Sequence, residues 1–236
     1  MNKIGLLGGT FDPVHNAHLK IASAALDQFG LEKVIFIPTG ISARKIASTI
    51  ALPKDRLAML KLACAEYSGF EVSTIEIDRP GITYTIDTLN YFAEQFGKTA
   101  ELFFITGKDT TLDLPTWYKA AKIAELITVL SANRGADNVD TDIDRTLAMS
   151  NESLNQSITE SSKQSVTHSV NQSVSQSTSG YDSAVKLSDF RIIDFKIPKL
   201  ALSSSEIRSR IKAGLSVADM VPAAVLDYIR EHALYE

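Results

Sequence analysis

Short apolar runs that end in glycine or proline alternate along this chain with stretches in which apolar residues recur at helical spacing. That alternation admits few architectures. The apolar runs need burial on both faces, and the amphipathic stretches supply the covering helices. The expected fold is therefore α/β, a parallel sheet with helices on both faces. KIGLLGG, KVIFIP, ELFFITG and ITVLSANRG read as strands, FEVSTIEI alternates like one, and DFRIIDFKIP returns to the pattern near the end. NAHLKIASAALDQFG sets Leu19, Ala22, Ala25, Leu26 and Phe29 on one helical face and stops at Gly30. KDRLAMLKLACAEYSG predicts a helix with Gly69 just past its end, TIDTLNYFAEQFG one stopped by Gly97, and TWYKAAKIAEL another. SSSEIRSRIKAG and PAAVLDYIREHALY predict two closing helices. Ligands of such sheets bind beyond the C-terminal strand ends, where the unusual residues collect: 8–18, 38–45, 106–109 and Arg134.

Bulk properties narrow the partners. The 236 residues suffice for one domain with a sizeable core, and a net charge of −4 gives no general attraction to nucleic acid or anionic membrane. An anionic ligand needs a local positive site. The single cysteine, Cys64, lies in an apolar helical pattern and reads as a small core residue; a cytoplasmic location fits. No run approaches a membrane span, and the start lacks the basic and long apolar stretches of a signal peptide. Residues 136 to about 185 break the pattern. They are rich in Ser, Gln and Asn, nearly free of aromatics, and from Asn155 follow a degenerate four-residue repeat, NQSI TESS KQSV THSV NQSV SQST. Their apolar content is too low to offset ordering entropy, so they are expected to be a disordered expansion of a surface loop.

LLGGTFDPVHNAHLKIA, residues 6–22, joins a strand to a helix through a glycine pair and two histidines. The first turn of a helix has amides without intrahelical acceptors and a dipole that favours anions, so a strand, a Gly-Gly turn and a helix start form a phosphate cradle. His15 and His18, three apart, share a face once the helix begins and could donate to phosphate oxygens. The block is neither a Walker A loop nor a GxGxxG fingerprint, and the histidines lack the i, i+4 spacing of a helical zinc site.

GGTFDPVHNAH as a whole resembles the HxGH signature of the nucleotidyltransferase superfamily, with Ala17 in place of the usual glycine. FIPTG, RPGITYTIDTL, FFITGKDTTLDLPTWYKAAKI and ALSSSEIRSRI extend the likeness, in order, to the bacterial nicotinate-nucleotide adenylyltransferases. The resemblance implies a Rossmann-like nucleotidyltransferase domain over 1–236 with a short C-terminal helical element, interrupted by the segment at about 136–185. It implies adenylyl transfer from ATP to nicotinate mononucleotide, with Mg²⁺ bound through the ATP phosphates. Gly8, Gly9, Thr10, Phe11, His15, His18, Thr106, Gly107, Asp109, Ser203, Ser204, Ser205 and Arg208 are assigned to ATP. Lys45, Thr83, Tyr84, Thr85, Trp117 and Arg134 are assigned to the mononucleotide, and His15, His18, Lys45 and Arg208 to catalysis. Read without the resemblance, Trp117 is a core residue, Asp109 a helix cap and SSSEIR a capped surface helix. GISARK departs from the family's usual G-N-P-P-H-K: Lys45 survives, while Ser42, Ala43 and Arg44 replace the two prolines and the histidine. Loss of the prolines loosens that loop. Nicotinamide mononucleotide and phosphopantetheine remain alternative acceptors, and a non-catalytic nucleotide-binding module is the alternative to an enzyme. The oligomeric state is not written in the sequence.

Overall fold

In the computed structural model six parallel strands form one sheet in the order β4-β2-β1-β6-β7-β8. They are β1 (Asn2–Gly9), β2 (Lys33–Pro38), β4 (Phe70–Val72), β6 (Ala100–Gly107), β7 (Thr128–Arg134) and β8 (Arg191–Ile197). A separate two-stranded parallel ribbon pairs β3 (Ile41–Ser42) with β5 (Ile82–Thr83). The structure describes residues 1–42, 51–134, 185–197 and 202–236, all within one compact unit. Lys45, Ala43 and Arg44, and nearly all of the segment at 136–185, lie outside the described residues.

Side chains alternate across the sheet as strand geometry demands. Leu7, Val34, Phe36, Phe103, Ile105, Leu130 and Phe195 enter one core. Helices α1 (Asn16–Phe29), α2 (Pro53–Cys64), α7 (Ser204–Lys212) and α8 (Ala223–Glu231) cover it, and Val14, Met220, Val221 and Tyr235 among others join from the segments around them. Ile4, Leu6, Ile35, Ile37, Leu102, Phe104 and Val129 enter the opposite core, under α4 (Thr85–Phe96) and α6 (Ala120–Leu126). Cys64 is buried in the first core, and burial pushes its thiol up to about 12, which agrees with an inert packing role.

Three elements differ from the sequence-based expectation. FEVSTIEI is a strand only over β4; Ser73 accepts from the Ile75 amide, Thr74 donates to Asp78, and the chain turns into α3 (Ile75–Asp78). Local hydroxyl bonds of this kind compete with a strand ladder. The second helix ends at Cys64, short of Gly69; a Cβ on Gly69 would come within 2.5 Å of Leu26, so this glycine serves packing and not the helix stop. The fourth predicted helix begins only at Ala120, because Lys119 takes a left-handed conformation (φ 56°) and Trp117 closes the 3-10 turn Leu114–Thr116, after the short helix α5 (Lys108–Asp113).

Candidate active site

β1 and β6 lie side by side at the centre of the sheet, and the chain leaves them in opposite directions, β1 toward β2 and β6 toward β7. The crevice beyond their C-terminal ends is the topological switch point at which open α/β sheets bind ligands. Gly8 and Gly107 face it. A Cβ on Gly107 would meet nothing within 4 Å, and one on Gly8 only the Phe104 ring at 3.8 Å. Gly9 has a different reason: a Cβ there would lie 2.9 Å from the Phe11 ring, which folds back over it. Phe11 itself has positive φ (51°), is only 2% exposed, and packs its ring against Phe36 and His18. It is therefore a core residue.

The turn continues through a cis Asp12–Pro13 bond to His15, the N-cap of α1. The imidazoles of His15 and His18 stack with centroids 3.8 Å apart, His15 buried and His18 half-buried. The His15 amide donates to His18 Nδ1 at 3.3 Å. A neutral His18 therefore carries its proton on Nε2, the nitrogen turned away from the backbone. The amides at this helix start are largely committed: besides His15, Asn16 donates to the Met220 carbonyl at 3.0 Å and His18 to the His15 carbonyl at 2.9 Å. The first-turn amides of Asn16 and His18, expected to be free, are thus engaged within the protein.

α7 brings the cation. Ser203 caps the helix, its Oγ accepting from the Glu206 amide at 3.2 Å. Ser204 Oγ donates to the Pro13 carbonyl at 2.9 Å, and Arg208 donates to the Asp12 carbonyl at 2.7 Å and to Ser205 Oγ at 3.3 Å. SSSEIR is therefore docked directly on the histidine turn, although the two segments are far apart in sequence. Ser204 acts here as a tie between helix and turn.

Two site residues were not legible in the sequence. Arg56, on α2, is 1% exposed and donates to the carbonyls of Thr10 at 2.7 Å and Thr39 at 2.8 Å, clamping the segments that follow β1 and β2. Burial lowers its pKa, against the opposing influence of Asp12 and Tyr235. Tyr235 donates to Asp12 Oδ1 at 2.8 Å, and burial, followed by the Asp12 charge, raises its own pKa. A buried arginine in an amphipathic pattern reads as a solvated one, and no spacing links Tyr235 to Asp12.

Beside the crevice, the ribbon β3–β5 sets Ser42 opposite Thr83. Tyr84 caps α4, so the amides of Thr85 and Ile86 stand in a first turn without intrahelical acceptors. Thr83 Oγ1 is buried and has no partner among the described residues. Trp117 is half-buried, edge-on to Phe104 at 6.0 Å, and Tyr118 lies 4.5 Å from Tyr84. Glu76 of α3 accepts from Thr88 Oγ1 at 2.8 Å and from the Gly40 amide, and burial raises its pKa. A Cβ on Gly40 would lie 2.0 Å from the Glu76 carbonyl oxygen, so only glycine lets this loop pass. Thr106 is buried with its hydroxyl on Thr111, and Asp109 is exposed on α5. Arg134 pairs by its backbone with Ile197 at the end of β7.

A 3-2-1-4-5-6 parallel sheet with stacked histidines and an arginine at its switch point defines a nucleotidyltransferase of the cytidylyltransferase-like class, and the family model described as cytidylyltransferase-like matches residues 6–210. A protein of Dehalococcoides mccartyi named "Probable nicotinate-nucleotide adenylyltransferase" is 38% identical over 233 residues, 99% of this chain and 97% of its own. One of the same name from Neisseria meningitidis is 37% identical over 236 residues, the whole of both chains. The nicotinic acid mononucleotide adenylyltransferase of Plasmodium falciparum, solved with NaAD, shares the fold at a TM-score of 0.66 and 19% identity, over 100% of this chain and 98% of that one. The chain belongs to the nicotinate-nucleotide adenylyltransferase family.

Proposed function

We propose that this enzyme transfers the adenylyl group of ATP to nicotinate mononucleotide, giving nicotinate adenine dinucleotide and pyrophosphate in NAD biosynthesis. The observation that carries the reading is the docking of Arg208 and the serine cap of α7 onto the turn that holds His15 and His18, at the sheet's switch point. An oxygen of the mononucleotide phosphate attacks the ATP α-phosphorus in line. The bond to the bridging oxygen breaks, and its electron pair leaves with pyrophosphate. No protein nucleophile is required, so the chain's work is positioning and charge stabilisation.

His18 Nε2–H donates to the α-phosphate oxygens on which charge builds, and the stacked His15 holds that ring in place. Arg208 offers a fixed cation and donor fork to the outer phosphates. Mg²⁺ would come with ATP rather than on a protein carboxylate, and would neutralise phosphate charge. This suits a turn whose carboxylate, Asp12, is already engaged with Tyr235 and the Ala51 amide. Gly107, Thr106 and Asp109 border the adenosine side. The first-turn amides of α4 and the hydroxyl of Thr83 suit the nicotinate carboxylate, with Trp117 as a face for the pyridine ring. Lys45 and Arg134 are assigned to the mononucleotide phosphate. A cytoplasmic site of action belongs to this reading. No described helix is long and apolar enough to cross a membrane.

The test is to supply ATP labelled at the α-phosphorus together with nicotinate mononucleotide. The label is expected in the dinucleotide. Label left in AMP or ADP, or no dinucleotide, would refute adenylyl transfer.

A further inference from the structure

The histidine turn is held by residues from the other end of the sequence. Asp12 Oδ1 accepts from Tyr235 Oη at 2.8 Å and from the Ala51 amide at 3.2 Å, while Oδ2 lies 3.8 Å from Arg208 Nη1. The same Arg208 nitrogen donates to the Asp12 carbonyl at 2.7 Å. With Oδ1 fixed by two donors the carboxylate cannot rotate, and its other oxygen is directed at the guanidinium. Tyr235 is buried although its backbone is left-handed (φ 70°), a conformation that persists in a residue with a side chain only where the surroundings impose it.

We infer that Tyr235 is a positioning residue of the ATP site: through Asp12 it sets the direction in which Arg208 meets the triphosphate. The inference rests on the adenylyl-transfer reading for its anion, ATP, but not on which acceptor is used. A built-in control lies on the same C-terminal segment. Tyr228 makes the same kind of bond, Oη to Asp55 Oδ1 at 3.0 Å, but to α2 and not to the turn.

The experiment compares the wild-type protein with Tyr235→Phe and Tyr228→Phe, reading MgATP affinity by calorimetry, KM for each substrate and Tm. Tyr235→Phe is expected to weaken MgATP binding about tenfold, the loss of one charge-assisted bond, and to raise KM for ATP while leaving KM for nicotinate mononucleotide within about twofold. Tyr228→Phe is expected to lower Tm and leave MgATP affinity unchanged. Wild-type affinity in Tyr235→Phe, or an equal loss in both variants, would overturn the inference and leave Tyr235 a structural residue. A wild-type protein that binds MgATP but adenylylates no nicotinate mononucleotide would defeat the acceptor reading alone, since the variants' MgATP affinities still decide the role of Tyr235.

Discussion

His18 is oriented by the His15 amide, with the stacked His15 ring and the Phe11 ring packed beside it. By accepting the His15 amide at Nδ1 it directs an Nε2 proton away from the helix, which is what a developing phosphoryl charge requires. His18→Ala is therefore expected to lower kcat by at least about a hundredfold, the scale of a lost transition-state donor, while MgATP affinity changes only a few-fold. Single-turnover kinetics with calorimetry checks this, and an unchanged kcat would remove His18 from the chemistry. Gly9→Ala forces a Cβ to 2.9 Å from the Phe11 ring, an overpacking expected to cost about 1–3 kcal/mol of stability in urea unfolding. At this scale residue type and spacing were enough to place the two histidines together at a helix start and a serine cap before Arg208. Arg56 and Tyr235 were missed because their roles depend on partners that only the fold brings within reach.

Among the elements, the segment after β4 shows where pattern reading fails. FEVSTIEI alternates like a strand, but Ser73 and Thr74 bond locally and Glu76 turns inward, onto Thr88 and the Gly40 amide. Burial holds the Glu76 carboxyl above its ordinary range, so the native state binds its proton more tightly than the unfolded chain. The sign follows. Its contribution to stability is complete below the unfolded carboxylate's pKa and is lost as pH rises through the native value. The wild type is expected to lose Tm, relative to Glu76→Gln, as pH climbs upward from about 4. Parallel Tm–pH curves for the two proteins would show that Glu76 is not desolvated. The helix that begins at Ala120 was shortened for a related reason: the positive φ of Lys119 is a local conformation that apolar spacing does not encode.

For the whole molecule, alternating strands and helices led directly to the parallel sheet, because runs buried on both faces admit few other arrangements. The strand order, and with it the pairing of β1 with β6, was not legible, since periodicity says which face of an element is buried and not which neighbour it meets. That pairing brings the Gly8 turn beside Gly107, while α7 and Tyr235 close on Asp12 from the opposite end of the sequence. The ribbon pairs Ser42, one of the altered positions, with Thr83 of the segment assigned to nicotinate, so acceptor choice bears on both. The most direct measurement is pyrophosphate release with MgATP, comparing kcat/KM for nicotinate mononucleotide, nicotinamide mononucleotide and phosphopantetheine. A preference of about tenfold or more for the nicotinate form is expected, the scale of one buried carboxylate contact. Equal rates with the nicotinamide form, or turnover with none of the three, would contradict the account.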